Sequence, residues 1–223
     1  MEPTAELKPY YHDDFVTLYL GGCLTETHWL GADVLLTDPP YGIGYNSGHM
    51  RQVGFARSIQ GDQDTSLRDK ALDLWGRDRP ALIFGSWKRP VPTGTRALLI
   101  WDTKGALGMG DLKIPWKPSH QQIYVVGRGF TGRRTSDVLT FAPVQSMAKN
   151  GRLHPHQKPL PLLLELISKC PDGVLADPFA GSGSTLVAAK IAGRKCIGVE
   201  LEEKYCEIAA KRCEQTAYSP TSE

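Results

Sequence analysis

Two short segments carry the residues best suited to chemistry. The first is Thr37-Asp-Pro-Pro-Tyr-Gly42, directly after the apolar run Asp33-Val-Leu-Leu36. It presents a carboxylate, a carbonyl and an aromatic ring together at the end of a strand. Pro39 and Pro40 stiffen the backbone and leave the Pro39 carbonyl outside local helix or sheet pairing. That set suits a planar exocyclic amine. Such a nitrogen is a poor nucleophile, because its lone pair is delocalised into the ring. Asp38 and the Pro39 carbonyl can each accept one of its N–H hydrogens, favouring a more pyramidal nitrogen with its lone pair turned toward an electrophile. Tyr41 can stack on the ring that bears the amine and hold it for in-line attack. Read alone, the segment is equally a rigid Pro-Pro turn with Asp38 as a cap.

The second segment is Asp177-Pro-Phe-Ala-Gly-Ser-Gly-Ser-Thr185, which follows Gly-Val-Leu-Ala176. Gly181 and Gly183 permit a tight turn and close approach of a ligand to the backbone. No lysine stands in the Walker position, which disfavours a phosphate-cradling loop. Glu200 ends the next apolar run, Cys196-Ile-Gly-Val199, 23 residues after Asp177. A carboxylate there can accept hydrogen bonds from both hydroxyls of a ribose. Turn and acid together specify a nucleoside-containing cofactor. The competing reading is that Glu200 caps the last helix, from near Leu201.

These residues need strands to present them. Phe15–Leu20, Val34–Thr37, Ala81–Gly85, Ala97–Trp101, Gln122–Val126 and Val138–Phe141 read as strands, with Pro39 and Pro40 stopping the second. In the last third, Pro159–Lys169 reads as a helix with prolines in its first turn. Gly173–Ala176 is a buried strand, Ser184–Ala192 a helix closed by Gly193, and Cys196–Val199 a strand. Glu202–Gln215 is a helix with acids early and Lys211 and Arg212 late, as its dipole prefers. The series predicts an α/β fold: a doubly wound, mostly parallel sheet with helices on both faces. Residues 42–66, 103–119 and 127–158 are long for connections, and long loops in a compact domain are often functional.

Composition sets the class. The chain has 223 residues, 41% of them hydrophobic, which suits one compact domain over residues 1–223. No apolar run is long enough to span a membrane, and the N-terminus has no secretory h-region. The five cysteines, Cys23, Cys170, Cys196, Cys206 and Cys213, form no CxxC pair, so a reducing cytoplasm is expected, with neither disulfide framework nor metal site. Cys206 and Cys213 share a helix face and are expected in the core. His154 and His156 form an HxH pair without a third ligand nearby in sequence. Net charge is only +2, yet residues 128–158 hold Arg128, Arg133, Arg134, Lys149, Arg152 and Lys158 against Asp137 alone. That basic stretch is either a phosphate-contacting surface or an ordinary solvated loop. Trp87-Lys88-Arg89 could stack on and neutralise nucleic acid or simply end a strand in solvent.

Taken together, the DPPY and DPFAGSGST segments resemble the amino-group DNA methyltransferases, over about Val16 to Cys213. The catalytic segment precedes the cofactor segment, a permuted order similar to the beta group of that family. VTLYLGGCLTE, ALIFGSWKR, LLIWDTKGALGMGD and HPHQKPLPLLLELI fit the same pattern. The resemblance implies a Rossmann-like class I methyltransferase fold, with a catalytic half over about 13–150 and a cofactor half over about 154–215. It implies S-adenosyl-L-methionine as cofactor and Asp38, Pro39, Pro40 and Tyr41 as the catalytic residues. Lys158 would hold the methionine end of the cofactor, with Asp177, Phe179, Gly181, Gly183, Ser184 and Glu200 as its other contacts. It implies duplex DNA as partner, with the target base flipped out. Lys88, Arg89, Arg128, Arg133, Arg134, Lys149 and Arg152, with the 43–60 loop and its Tyr45 and Asn46, would touch that DNA. Aspartate heading the motif favours adenine N6. Cytosine N4, an RNA base, a protein glutamine and an inactive DNA-binding module are the alternatives, and monomer or homodimer is open. Two departures stand out: Gly21-Gly22 replaces the usual Gly-Asp, and His120-Gln121 the usual His-Glu. The short separation of Phe130 from His154 leaves little room for a separate target-recognition domain.

Overall fold

The computed structural model describes residues 8–42, 63–105, 110–144 and 157–217. In chain order its elements are β1 (Tyr11–His12), β2 (Val16–Leu20), a 3-10 turn (His28–Gly31), β3 (Val34–Thr37), α1 (Ser66–Trp75), β4 (Ala81–Gly85), β5 (Thr95–Asp102), β6 (His120–Val126) and β7 (Val138–Thr140). α2 (Leu160–Ile167), β8 (Leu175–Asp177), α3 (Ser184–Ile191), β9 (Cys196–Glu200) and α4 (Glu203–Glu214) follow. No helix among the described residues is long and apolar enough to cross a membrane.

The nine strands form one sheet in the order β1-β2-β9-β8-β3-β4-β6-β5-β7. From β2 to β4 every pairing is parallel. β6 runs against both β4 and β5, so β5 and its parallel partner β7 point the same way as the central strands. β3 and β4 are buried at every position, as expected where both faces of a parallel strand are covered. Alternate side chains feed two cores. Val34, Leu36, Leu82 and Phe84 pack with α2, α3 and α4 on one face. Leu35, Ala81 and Ile83 pack with α1 and the 3-10 turn on the other.

The expected strands and C-terminal helices are present, with ends shifted by one or two residues. α1 is an addition to the expected elements. Its inward residues Arg68, Ala71, Leu72 and Trp75 recur at the spacing of one helical face, so the pattern is present in the sequence. Trp75 stacks on Trp29 of the 3-10 turn, centroids 5.9 Å apart, and the Arg79 guanidinium covers its ring at 3.5 Å.

The strand order fixes where ligands can bind. From β8 the chain crosses through α3 to β9 on one side, and from β3 it crosses through α1 to β4 on the other. The crevice beyond the carboxyl ends of β3 and β8 is therefore the point where the winding reverses, the usual ligand position in open α/β sheets.

Candidate active site

β3 and β8 pair in parallel, Val34 with Leu175 and Leu35 with Ala176. The two chemistry-bearing segments consequently leave the same edge of the sheet side by side. One side-chain bond joins them: the Thr37 hydroxyl donates to Asp177 Oδ1 at 2.7 Å. Beyond it lies a cavity of about 320 Å³ lined by Asp38, Pro39, Pro40 and Tyr41 from one segment and by Asp177, Phe179, Gly181, Ser184 and Glu200 from the other. That volume lies within the range of small-ligand pockets.

On the catalytic side, the Tyr41 hydroxyl donates to Asp38 Oδ1 at 2.7 Å. The Lys158 ammonium pairs with Asp38 Oδ2 and donates to the Tyr41 hydroxyl at 3.2 Å. Gln121 Oε1 lies 3.4 Å from the same hydroxyl. Lys158 is almost fully buried and sits 4.7 Å from the Phe84 ring. Burial pushes its pKa down, opposed by the charge and hydrogen bond of Asp38. Lys158, which the resemblance assigned to the cofactor, lines the cavity and is also tied to Asp38 and Tyr41 of the catalytic segment. Gln121, which stands where the family usually has an acid, reaches the same network.

On the cofactor side, Gly181 has a left-handed φ of 52°, and its N–H donates to Glu200 Oε2 at 2.8 Å. Glu200 Oε1 accepts the Glu202 N–H, also at 2.8 Å. Glu200 therefore steadies both the start of α4 and the glycine turn. Each oxygen accepts only one of these bonds and keeps acceptor capacity toward the cavity. Burial raises the Glu200 pKa against those two N–H groups. Burial also pushes Asp177 up to about 6, against hydrogen bonds from Thr37, Thr185 and the Phe179 N–H. Arg212 of α4 donates to the Ser182 carbonyl and to the Ser184 hydroxyl, clamping the turn from behind. Gly183, expected to meet a ligand, does not line the cavity. With φ at 77°, its missing Cβ would lie 2.7 Å from Ala209 Cβ, so its smallness serves the packing of α3 on α4.

The lining selects a ligand. Asp38, Asp177, Glu200 and Glu202 face the cavity with Lys158 as their cationic companion. Such a balance repels phosphate and favours a cationic molecule. Phe179, Leu201 and Tyr205 add apolar wall beside Glu200, which fits a nucleoside whose ribose meets the carboxylate. Gln157, Tyr205 and Leu67 line the cavity too. Sequence reasoning missed Leu67 because it missed α1, and Tyr205 because a helical tyrosine carries no motif.

The expected DNA contacts are dispersed. Lys88 is exposed, but Arg89 is turned inward, its Nη2 bonded to the Gly42 carbonyl. Arg128, Arg133 and Arg134 are exposed at the wrong end of the sheet. Because β6 runs antiparallel, Val126 lies opposite Ala81, where β4 begins, and Gln122 opposite Gly85, where it ends. About 13 Å of strand therefore separates the end of β6, which Arg128 follows, from the edge that carries Asp38. The 128–134 segment is anchored on the end of α2, with Lys169 Nζ donating to the Arg133 carbonyl at 2.7 Å. Tyr45, Asn46, Lys149, Arg152, His154 and His156 lie outside the described residues. Among the described residues no cluster of three metal-ligating side chains occurs.

Known proteins agree with this geometry. A family profile described as DNA methylase, of the N6/N4 type, matches residues 115–211. YubD of Escherichia coli (strain K12), named as a methylase, is 31% identical over 193 residues, covering 81% of each chain. The M1.HpyAVI complex with S-adenosylmethionine superposes with a TM-score of 0.61 at 19% identity, over 89% of this chain and 100% of that one. PvuII DNA methyltransferase, cytosine-N4-specific, gives a TM-score of 0.69 at 16% identity, over 97% and 91%. The two structures share the fold, and the kinship with YubD runs along most of both sequences. By that kinship this chain belongs to the N6/N4 family of DNA methylases.

Proposed function

We propose that this protein transfers a methyl group from S-adenosyl-L-methionine to the N6 amino group of adenine in duplex DNA. One observation carries the reading: Asp38-Pro-Pro-Tyr41 and the Asp177–Gly183 turn leave adjacent parallel strands and line one cavity. S-adenosylmethionine supplies a methyl group on a positively charged sulfur, an electrophile that needs no metal. Glu200 receives the ribose hydroxyls, with Phe179 and Tyr205 as walls. Asp38 and the Pro39 carbonyl accept the two hydrogens of the amine, orienting its lone pair along the line to the methyl carbon. A nitrogen–carbon bond would form as the carbon–sulfur bond breaks, the thioether S-adenosylhomocysteine would leave, and the surplus proton of the nitrogen would pass to Asp38 or to water. Lys158 and Tyr41 fix the Asp38 carboxylate during that step, because each of its oxygens accepts a bond from one of them. An adenine reaches Asp38 only after rotating out of the duplex, at a cost of roughly a few kcal/mol. The choice of adenine rests on the aspartate that heads the motif.

The test is transfer of radiolabelled methyl groups to DNA from a methylation-free host, followed by nucleoside analysis. N6-methyladenine is the expected product. N4-methylcytosine would replace the base in the proposal, and label appearing in RNA or protein but not in DNA would end it.

A further inference from the structure

The proposed reaction requires a duplex to lie over the edge of the sheet that carries Asp38, and a docking surface for that duplex rests on the same reading. Two loops at this edge have the chemistry of a nucleic-acid surface. Residues 86–89 leave β4 at this edge before the chain descends to Thr95 at the opposite end, and residues 103–105 and 110–119 lie between β5 and β6. Both are tied to the catalytic segment, the first by Arg89 bonded to the Gly42 carbonyl and the second by Gln121, just beyond its end, beside the Tyr41 hydroxyl. Together they expose four cations, Lys88, Lys104, Lys113 and Lys117, against one acid, Asp111.

Their apolar side chains are unusually open. Trp87 is 70% exposed, and Leu112 and Trp116 are each 77% exposed. Exposed apolar groups of this size, set among cations, mark interaction sites more often than chance. The second loop is built to project them. Gly110 at φ 71° packs so closely on Pro118 that an added Cβ would lie 2.4 Å from the proline ring. With its neck closed, the loop turns through Asp111, whose carboxylate accepts the Lys113 N–H at 2.9 Å and whose carbonyl accepts the Ile114 N–H at 3.3 Å. Every residue from 111 to 118 is exposed.

We infer that duplex DNA docks on the catalytic edge through these two loops, with Trp87 and Trp116 as stacking contacts, and not through the arginine-rich segment 128–134. Lysines beside the tryptophans neutralise phosphates and give register on the backbone. Apolar tips on the edge that carries Asp38 can occupy the space that a rotated base leaves behind. A second copy of the chain would bury the same tips, but it would also cover the entrance the base must use.

Anisotropy of a labelled mixed-sequence duplex, measured over a salt series with full-length protein, tests the assignment. Combined Lys88→Ala, Lys113→Ala and Lys117→Ala should weaken binding at least about tenfold and lower the log–log salt slope by about 2 to 3. Combined Arg128→Ala, Arg133→Ala and Arg134→Ala should leave both within about twofold. Calorimetric binding of S-adenosylmethionine should be unchanged in both, showing that the fold survives. Duplex should quench tryptophan emission in the wild type, and Trp87→Phe with Trp116→Phe should remove that quenching. The reverse pattern, with the arginines controlling affinity, overturns the inference. So does a lysine variant that changes sedimentation but not DNA affinity, which would make the surface a self-association face. A wild type that binds S-adenosylmethionine but neither binds nor methylates duplex overturns the DNA reading itself.

Discussion

Asp38 and Asp177 stand at the ends of neighbouring parallel strands, yet different kinds of neighbour hold the two carboxylates. Asp177 is 2% exposed and is satisfied by uncharged donors, the Thr37 and Thr185 hydroxyls and the Phe179 N–H. Asp38 keeps 19% of its side chain open and is met by an ammonium and a phenol. The first arrangement joins strand to strand and holds the turn. The second leaves lone pairs facing a cavity, with two side chains behind them that fix their direction. Position on the sheet gives both residues access to a ligand, and the donors around each decide which one can act on it.

Four measurements put that contrast at risk. Asp38→Ala should lower methyl transfer by about a thousandfold or more while calorimetric affinity for S-adenosylmethionine stays within about threefold. An equal loss of cofactor affinity would erase the distinction between the two aspartates.

Asp177→Asn tests the other side through pH. Its folded pKa is raised from 3.8 to about 6, so in that window the folded chain holds a proton that the unfolded chain has lost. The stability tied to this proton is complete below 3.8 and lost as pH rises through 6. In denaturant unfolding, the wild type should gain roughly 2 kcal/mol relative to the variant between about pH 7 and pH 4. A constant difference across that range would show that Asp177 does not titrate as a buried, uncompensated acid.

Lys158→Met should reduce kcat on the order of a hundredfold without weakening cofactor binding. If calorimetry instead shows lost cofactor affinity with kcat retained, the lysine belongs with the glycine turn, as the resemblance implied. The smallest effect is expected for Glu200→Gln, about tenfold in cofactor affinity with little change in saturated rate. The amide keeps its shape but offers fewer acceptors to a ribose.

Much of the fold and the site is legible in the sequence alone. Strands β3 and β8 announce themselves as apolar runs that end in Pro-Pro and in a glycine turn, and the strand–helix alternation after residue 159 dictates a parallel sheet. Direction and partnership are not legible. The arginines at 128–134 form a conspicuous charge cluster, but charge along a chain has no address. Only the antiparallel course of β6 shows that they lie away from the site. Lys158 sits 120 residues after Asp38, and nothing local in HPHQKP reveals that its ammonium turns to the earlier motif. Gly183 matches the spacing of a ligand-contacting glycine, and only the packing of α4 shows the different reason for its size. α1 escapes notice because its inward face includes Arg68, which is buried and donates to the Pro90 carbonyl at 3.0 Å, so a cation interrupts the apolar stripe.

The strand order also has a consequence for biosynthesis. β8 and β9 lie between β2 and β3, yet a ribosome delivers them last. Until about residue 200 emerges, β2 and β3 each wait with an unpaired side, an invitation to pair with the wrong chain. A nascent chain stalled before Cys196 should therefore need chaperone protection that the released protein does not.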